Sequence, residues 1–242
     1  CRSVAPGAIK FRTMITIKEL LTDARTTLTG PDASLEAELL MEAICGISRS
    51  RQFSYADEPI AEDLVEHYKS ALQRRVSGEP LAHIIGSRGF WDIDLRVTPD
   101  VLIPRPDTEV LVEQALLRIP HDASWQIADL GTGSGAIAIA IARERPRCEL
   151  TATDSSAAAL AIARENARVL GVKNISFAAG SWGQALETRC FDMILSNPPY
   201  IRADDPHLAE GDLIAEPRQA LVSGHDGLDD IRQIVADSTA CL

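Results

Sequence analysis

The chain has 242 residues, and 45% of them are hydrophobic, which is enough to bury a large core and excludes wholesale disorder. Its formal net charge of −11 argues against a general nucleic-acid binder, because such a protein needs a basic face to neutralise phosphates. No apolar run approaches the length of a membrane span, so no membrane partner is expected.

Cysteine and histidine usage narrows the class further. The five cysteines are scattered and form no Cys-x-x-Cys pair, which is typical of buried or incidental thiols in a reducing compartment. We therefore predict a cytoplasmic protein. The five histidines form no cluster with ligand spacing, so no metal site is predicted.

The first part of the chain has a helical pattern. Residues 1–13 lack periodicity, and Met14 opens a regular helical pattern, so we expect Met14 to be the true start of the protein. Apolar residues then recur at helical spacing in three amphipathic helices. Gly30-Pro31-Asp32 separates the first two, and Gly78-Glu79-Pro80 ends the third. We predict a small all-helical domain over residues 14–80.

Residues 81–100 change in character. Short apolar pairs, glycines and the alternation of Ile93, Leu95 and Val97 predict a β-hairpin. Because it stands between the helical region and a different pattern at 101–242, we expect this hairpin to be a linker.

A proline-rich arm, residues 102–109, follows the hairpin. Pro104 and Pro106 impose extended geometry, and Asp107 or Thr108 is predicted to cap the helix that comes next. Arg105 is equally compatible with a surface residue in a stiff turn and with a fixed group over a cleft.

From Gln126 onwards, strands and helices alternate strictly, which predicts a doubly wound α/β fold with a parallel sheet. The predicted strands are residues 126–130, 149–153, 175–179 and an apolar run that ends at Asn197. The last predicted helix covers residues 231 to about 235.

The first of these strands runs into a glycine turn, Gly131-Thr132-Gly133-Ser134-Gly135. Glycines allow a ligand to approach backbone N–H groups at the start of a helix. Asp154, about 20 residues further on at a strand end, fits an acceptor for ribose hydroxyls, with a helix N-cap as the alternative. These features predict an adenosine-type cofactor and leave a nicotinamide cofactor and S-adenosylmethionine both open.

The fourth strand ends in a hook, Asn197-Pro198-Pro199-Tyr200. Two prolines without N–H groups hold it extended at the carboxyl end of the strand, where ligands bind in such sheets. Amide nitrogens are poor nucleophiles. The Asn197 side-chain oxygen and the Pro198 carbonyl could therefore grip an NH₂ group and aim its lone pair at a methyl group. The Tyr200 ring would stack on the plane of the target.

The hook distinguishes the two cofactors, because hydride transfer has no need of it and methylation of a planar nitrogen does. S-adenosylmethionine is thus the predicted cofactor. An irregular strand end with a core tyrosine is the weaker interpretation, given the glycine turn and Asp154 upstream. Trp182 follows the third strand and is predicted to lie beside the adenine, although a lone tryptophan is more often a core residue.

Four segments then carry a family resemblance. In chain order they are Leu-Ile-Pro-Arg-Pro-x-Thr-Glu at 102–109, Asp-Leu-Gly-Thr-Gly-Ser-Gly at 129–135, Ser-Asn-Pro-Pro-Tyr-Ile at 196–201, and Glu-Pro-Arg-Gln-Ala-Leu at 216–221 with Asp-Gly-Leu at 226–228. From Met14 to about Ile234 the chain resembles the HemK/PrmC family, the peptide chain release factor N5-glutamine methyltransferases. Asn-Pro-Pro-Tyr alone is shared with adenine-N6 and guanine-N2 methyltransferases, whereas the first and last segments are more specific.

The resemblance implies a class I, Rossmann-like fold. It also implies methyl transfer from S-adenosylmethionine to the glutamine of the Gly-Gly-Gln motif in class 1 release factors. On this interpretation Gly131 to Gly135 hold the methionine part of the cofactor, Asp154 holds the ribose and Trp182 lies at the adenine. Asn197 to Tyr200 and Arg105 bind the glutamine, and Asn197 also contacts the cofactor. The helical domain helps to dock the release factor. A protein partner, with no direct nucleic-acid contact, suits the acidic charge.

Two alternatives remain open: a methyltransferase for adenine or guanine amino groups in nucleic acid, and a non-catalytic remnant that binds cofactor or protein. The family's sheet continues with about three further strands after the last helix, so a methyltransferase domain at 101–242 is expected to be truncated at its carboxyl end. We expect an exposed apolar sheet edge and an unstable or inactive chain.

Overall fold

The structure is a computed structural model that describes residues 14–186, 190–239, 241 and 242. The chain divides into two compact units, of which the first ends at Ile85 and the second is Gly86–Leu242. The functional division expected from the sequence, at 14–80, 81–100 and 101–242, stays a prediction. The expectation about residues 1–13 lies outside the described residues.

The first unit is helical. Its helices are α1 (Ile17–Thr27), α2 (Ala33–Cys45), α3 (Arg49–Ser54), α4 (Glu62–Val76) and α5 (Leu81–Ile85). A capping box of Thr16 and Glu19 starts α1. The apolar faces of α1, α2 and α4 share one core, in which the buried Tyr68 hydroxyl donates to the Ala37 carbonyl at 3.0 Å.

Two of these helices differ from the sequence-based expectation. Residues 81–85 form α5, so the hairpin does not begin at Leu81. The helix forms there because Pro80 has no N–H to lose, while its carbonyl accepts from the backbone N–H groups of His83 and Ile84. The polar helix α3 was not predicted, since its start depends on the Ser48 side chain, which accepts from the Arg51 backbone N–H.

The second unit begins with the predicted hairpin, formed by antiparallel strands β1 (Ser87–Phe90) and β2 (Ile93–Arg96). The arm then leads into α6 (Asp107–Leu116). The predicted cap of this helix is wrong, because Pro106 is at the N-cap position and its side chain makes no capping hydrogen bond. The Thr108 hydroxyl instead accepts a hydrogen bond from the side chain of Asn197, which lies outside the helix.

A parallel sheet forms the centre of the second unit. Its strands are β3 (Gln126–Leu130), β4 (Glu149–Asp154), β5 (Ile175–Ala179) and β6 (Met193–Ser196), in the order β5-β4-β3-β6. The helices are α7 (Ala136–Glu144), α8 (Ala157–Val169) and α9 (Asp229–Ser238). The doubly wound α/β fold is thereby confirmed.

The register of the sheet brings three chain segments to one edge. Leu130 of β3 pairs with Thr153 of β4 on one side and with Ser196 of β6 on the other. The glycine turn, Asp154 and the hook therefore leave neighbouring strands at the same level. The chain runs outwards from β3 to β5 and returns on the other side as β6, which makes this edge the switch point where such sheets bind ligands.

Both faces of the sheet are covered. Residues 136–142 of α7 are buried throughout and share one apolar core with Ile127 of β3. The next residue, Ala128, belongs to a second core, which a 3₁₀ helix (Trp182–Leu186) and α9 help to form. Alternate residues of a strand point to opposite faces of the sheet, so β3 is packed on both faces. This packing fixes the carboxyl ends of the strands, where the predicted site residues lie.

Three 3₁₀ helices, Pro206–Ala209, Gly211–Ala215 and Arg218–Ala220, lie between β6 and α9. No helix among the described residues is long and apolar enough to cross a membrane. Within the same residues, no group of histidine, cysteine and acidic side chains is arranged to hold a metal ion. The expected instability of the chain stays a prediction.

Candidate functional site

The glycine turn is fixed by its neighbouring strand. The backbone N–H groups of Gly131 and Thr132 both donate to the Thr153 carbonyl, at 2.9 and 2.8 Å. Gly131 has a φ of +72°, and a Cβ at this position would lie 3.0 Å from the Trp182 ring. Only glycine combines this backbone conformation with so close an approach.

Three residues of the turn make contacts with the protein behind it. The Thr132 hydroxyl donates to the Asp129 carboxylate at 2.6 Å, and the Ser134 carbonyl accepts from the Asn166 side chain at 2.8 Å. Gly135 packs against α8, where an added Cβ would lie 3.2 Å from the Cβ of Ala163. These contacts hold the turn in shape, and direct contact of Thr132, Ser134 and Gly135 with a cofactor stays a prediction.

Asp129 lies beneath the turn with 0% of the residue exposed. Burial raises the pKa of its carboxyl group to about 6, although the hydrogen bond from Thr132 acts in the opposite direction. Burial thus disfavours the ionised form of Asp129, and the hydrogen bond from the Thr132 hydroxyl favours it.

Asp154 serves the turn as well as the cavity beside it. One carboxylate oxygen accepts from the Gly133 backbone N–H at 2.9 Å, and the other accepts from the Ser156 backbone N–H at 2.8 Å. Ser156, not Asp154, caps α8. A carboxylate has about four lone-pair positions, so Asp154 retains capacity for the hydroxyl groups of a ligand.

Trp182 is half-buried and lies against the glycine turn. Its φ of +45° is unusual for a residue other than glycine. The indole Nε1–H donates to a carboxylate oxygen of Asp230 at 3.0 Å, which fixes the ring from α9. The ring is thus held in position at the carboxyl edge of the sheet.

The hook is anchored at both ends. The Ser196 hydroxyl donates to the Leu130 carbonyl at 2.8 Å, and beyond the hook the Ile201 backbone N–H donates to the Leu221 carbonyl at 2.9 Å. Pro199 is buried, whereas Tyr200 is 63% exposed. Tyr200 is therefore not a core tyrosine.

The side chain of Asn197 has one described hydrogen bond. Its Nδ2 donates to the hydroxyl oxygen of Thr108 at 3.1 Å. Its Oδ1 accepts no hydrogen bond from the residues that the structure describes, so this oxygen is available to a ligand.

The arm is tied to the loop that follows the hook. Glu216 accepts from the Ile103 backbone N–H at 3.3 Å and forms an ion pair with Arg105. Burial raises the pKa of the Glu216 carboxyl group, and the charge of Arg105 opposes that rise. The ion pair joins the two segments that carry the specific resemblance, and acceptor binding by Arg105 stays a prediction.

Two cavities meet at Asn197. The larger, about 340 Å³, is lined by Gly131, Gly133, Asp154, Trp182 and Asn197, among others. The smaller, about 200 Å³, is lined by Arg105, Thr108 and all four residues of the hook. Asn197 and Pro199 line both cavities, so the structure brings most of the predicted residues together around one shared wall.

Comparison with known proteins identifies the family. Residues 107–227 match the model of the methyltransferase small domain, and residues 19–86 match that of the PrmC N-terminal domain. A release factor glutamine methyltransferase from Pseudomonas aeruginosa is 47% identical over 93% of this chain and 81% of its own length. One from Xylella fastidiosa is 48% identical over 92% of this chain and 80% of its own. The chain belongs to the release factor glutamine methyltransferase family.

Membership of the release factor glutamine methyltransferase family confirms the predicted fold class, enzyme class and cofactor, and it does not favour the two alternatives. A solved S-adenosylmethionine-dependent methyltransferase from Agrobacterium tumefaciens aligns over 64% of this chain and 48% of its own, with 18% identity and a TM-score of 0.46.

Several residues of the larger cavity were not predicted. Leu102 contributes from the start of the arm, Asp100 and Val101 from just before it, and Gln219 and Ala220 from the loop after the hook. The segments of Leu102, Gln219 and Ala220 carry the resemblance, which was the signal available for them, whereas Asp100 and Val101 lie outside those segments. Asp230 also lines the cavity, but nothing in the pattern of α9 marks it.

Proposed function

We propose that this chain transfers the methyl group of S-adenosylmethionine to the N5 side-chain nitrogen of the glutamine in the Gly-Gly-Gln motif of class 1 peptide chain release factors. The observation that carries the proposal is the position of Asn197 in the wall shared by the two cavities. One cavity suits an adenosine cofactor, and the other is lined by groups that suit a planar amide.

The larger cavity fits the cofactor by the chemistry of its wall. The turn at Gly131 and Gly133 removes side chains where the methionine part would approach. Asp154 retains lone pairs for ribose hydroxyls, and the Trp182 ring offers an aromatic face for the adenine.

The smaller cavity would receive the glutamine side chain. The Asn197 Oδ1 and the Pro198 carbonyl accept the two hydrogens of the amide NH₂, and neither Pro198 nor Pro199 has an N–H group to repel them. The exposed Tyr200 ring stacks on the amide plane. Together these groups aim the nitrogen lone pair through the shared wall into the larger cavity.

When bound, S-adenosylmethionine supplies a methyl group on a sulfonium sulfur, so that a C–N bond forms as the C–S bond breaks with its electrons kept by sulfur. The chain then has to hold the amide and balance its charge. The acceptors on Asn197 and Pro198 stabilise the positive charge that develops on the nitrogen, which finally loses a proton to water.

The choice of partner rests on the same geometry. A glutamine preceded by two glycines forms a slender loop that can enter a cavity of about 200 Å³. We infer that the helical unit contributes to docking of the release factor and that Arg105 faces the entering loop. A release factor acts on cytoplasmic ribosomes, so we also infer a cytoplasmic location. The net charge of −11 leads us to infer no direct contact with nucleic acid.

A methyl-transfer assay tests the proposal. The purified chain is given labelled S-adenosylmethionine with a release factor, with the same release factor carrying glutamate at the motif glutamine, and with bulk RNA or DNA. We expect label in the unaltered release factor alone, and mass spectrometry should locate it on the glutamine nitrogen. Label in nucleic acid alone, or cofactor binding without label in any acceptor, would contradict the proposal.

A further inference from the structure

Thr108 is the described hydrogen-bond partner of the Asn197 side chain, although the two residues lie 89 positions apart. Thr108 is the second residue of α6, is half-buried and lines the smaller cavity. Its hydroxyl oxygen lies 3.1 Å from the Asn197 Nδ2. The hydroxyl therefore contacts the NH₂ end of the Asn197 amide, which is the end that would not contact the glutamine of a release factor.

The orientation of the Asn197 amide decides what it offers. A primary amide has an acceptor oxygen and a donor NH₂ group, and a half-turn of its terminal torsion exchanges them. Only one orientation presents an acceptor to an incoming NH₂ group. The other sets donor against donor, which leaves a desolvated polar group without a partner.

Thr108 stands on a rigid support. Val112 and Ala115 of the same helix are buried in the core, and the Glu109 side chain accepts from the Trp91 backbone N–H at 3.0 Å. The ion pair of Arg105 with Glu216 fixes the arm just before the helix. A functional group whose supporting residues are themselves locked is held more closely in its working geometry.

We propose that Thr108 is a positioning residue: by accepting from the Asn197 Nδ2, its hydroxyl restrains the terminal torsion of the amide in the orientation of the structure, which leaves Oδ1 for the NH₂ group of the glutamine. The inference rests on the proposed function, in which Asn197 grips the glutamine amide. It assigns a role to the arm: the arm and its helix deliver the hydroxyl that orients the hook.

The size of the effect depends on the cost of misorientation. Removal of the hydroxyl leaves the Asn197 amide free to turn. A smaller fraction of bound glutamine side chains then has its nitrogen lone pair directed at the methyl group. We expect the rate of methyl transfer to fall roughly 10-fold or more. The affinity for S-adenosylmethionine should change less than about 2-fold, since its predicted contacts are elsewhere.

Three threonine variants separate this role from a structural one. Thr108→Val keeps the shape and removes the hydroxyl, whereas Thr108→Ser restores a hydroxyl. Thr239→Val is the matched control, because Thr239 is an exposed threonine at the end of α9 whose hydroxyl donates to the Val235 carbonyl, and it lines neither cavity. In single-turnover assays we expect a slow Thr108→Val enzyme, with Thr108→Ser and Thr239→Val close to wild type.

A double-mutant cycle asks whether Thr108 acts through Asn197. We expect Thr108→Val to cause little further loss in the Asn197→Ala background. An equal loss in both backgrounds, or no loss in the wild-type background, would overturn the inference.

A measurement without turnover keeps the inference distinct from the proposed function. The side-chain NH₂ signals of Asn197 in an NMR spectrum should exchange slowly with water in wild type and in Thr108→Ser, and faster in Thr108→Val. The same exchange rate in all three proteins would overturn the inference. A wild-type protein with the slow exchange that methylates no release factor would instead count against the proposed function alone.

Discussion

The guanidinium of Arg105 is paired with the carboxylate of Glu216, whose side chain is 0% exposed although it lies 111 residues further along the chain. The same carboxylate accepts from the Ile103 backbone N–H. One buried acidic group thus connects the arm, which carries Thr108, to the loop that follows the hook. The site depends on this connection because neither segment belongs to the sheet.

We expect Arg105→Ala to lower the free energy of unfolding by about 1–3 kcal/mol near neutral pH, because it leaves a buried carboxylate without its cation. The pKa of Glu216 already lies above 4.5, and loss of Arg105 raises it further. Because the pKa is raised in the folded state, protonation of Glu216 stabilises the folded protein below about pH 4.5, and this contribution to stability is lost as the pH rises. The destabilisation should therefore grow between pH 4.5 and pH 8 in denaturant titrations.

Glu216→Gln provides the control for that pH dependence, because glutamine has a similar shape and no charge. In the Glu216→Gln background, Arg105→Ala should have the same effect at each pH. A pH-dependent effect that persists in this background would show that another group is responsible.

We expect Gly227→Ala to impair methyl transfer through Tyr200. Gly227 has a φ of +79°, and a Cβ there would lie 2.3 Å from the Tyr200 carbonyl oxygen, so the hook must move. Gly171→Ala is the matched control, since Gly171 has a φ of +70° and open space around its Cβ position. Thermal unfolding should give a loss of about 1 kcal/mol for the control and about 2–4 kcal/mol for Gly227→Ala. Equal losses, with methyl transfer intact, would contradict the close contact.

The buried Asp129 should titrate far above an ordinary aspartate. We expect its ¹³C carboxyl signal to change with a midpoint at about pH 6, and at a higher pH in Thr132→Val, which lacks the hydrogen bond that favours ionisation. Thr132→Ser should resemble wild type. Because the folded pKa lies above 3.8, the contribution of Asp129 to stability falls as the pH rises through about 6. A midpoint near 4 in all three proteins would contradict this account.

Trp182 should contribute to cofactor affinity. We expect Trp182→Ala to weaken S-adenosylmethionine binding about 10-fold or more in calorimetry, because stacking of a base on an aromatic ring contributes about 1–3 kcal/mol. Trp182→Phe should lose less, since it keeps an aromatic face and gives up only the hydrogen bond to Asp230. Unchanged affinity in Trp182→Ala would assign the ring to packing alone.

Much of the sheet and of the larger cavity could be predicted because the signals are local. The glycine turn, Asp154 and the hook each come directly after an apolar strand, and the carboxyl ends of parallel strands lie at one edge of a sheet. Short segments were harder to assign. The run at residues 81–85 is apolar enough for either a strand or a helix, and its helical start depends on Pro80.

The contacts that complete the site could not be predicted, because they join distant residues. Threonine is a residue type that often caps helices, yet the Thr108 hydroxyl accepts a hydrogen bond from Asn197, 89 positions away. Arg105 was compatible with a surface role or a cleft role, and its pairing with Glu216 depends on a loop whose path only the fold determines. Asp230 fixes Trp182 from a helix with an ordinary polar pattern. Tertiary contacts of this kind leave no periodic signal.

The central claim is that Asn197 grips the acceptor amide at the wall between the two cavities. The most direct test is to measure, for wild type and Asn197→Ala, both single-turnover methyl transfer to a release factor and calorimetric binding of S-adenosylmethionine. We predict that the variant loses roughly 100-fold or more in transfer rate while its affinity for the cofactor stays within about 3-fold of wild type. Equal losses of rate and affinity would place Asn197 in cofactor binding and contradict the account.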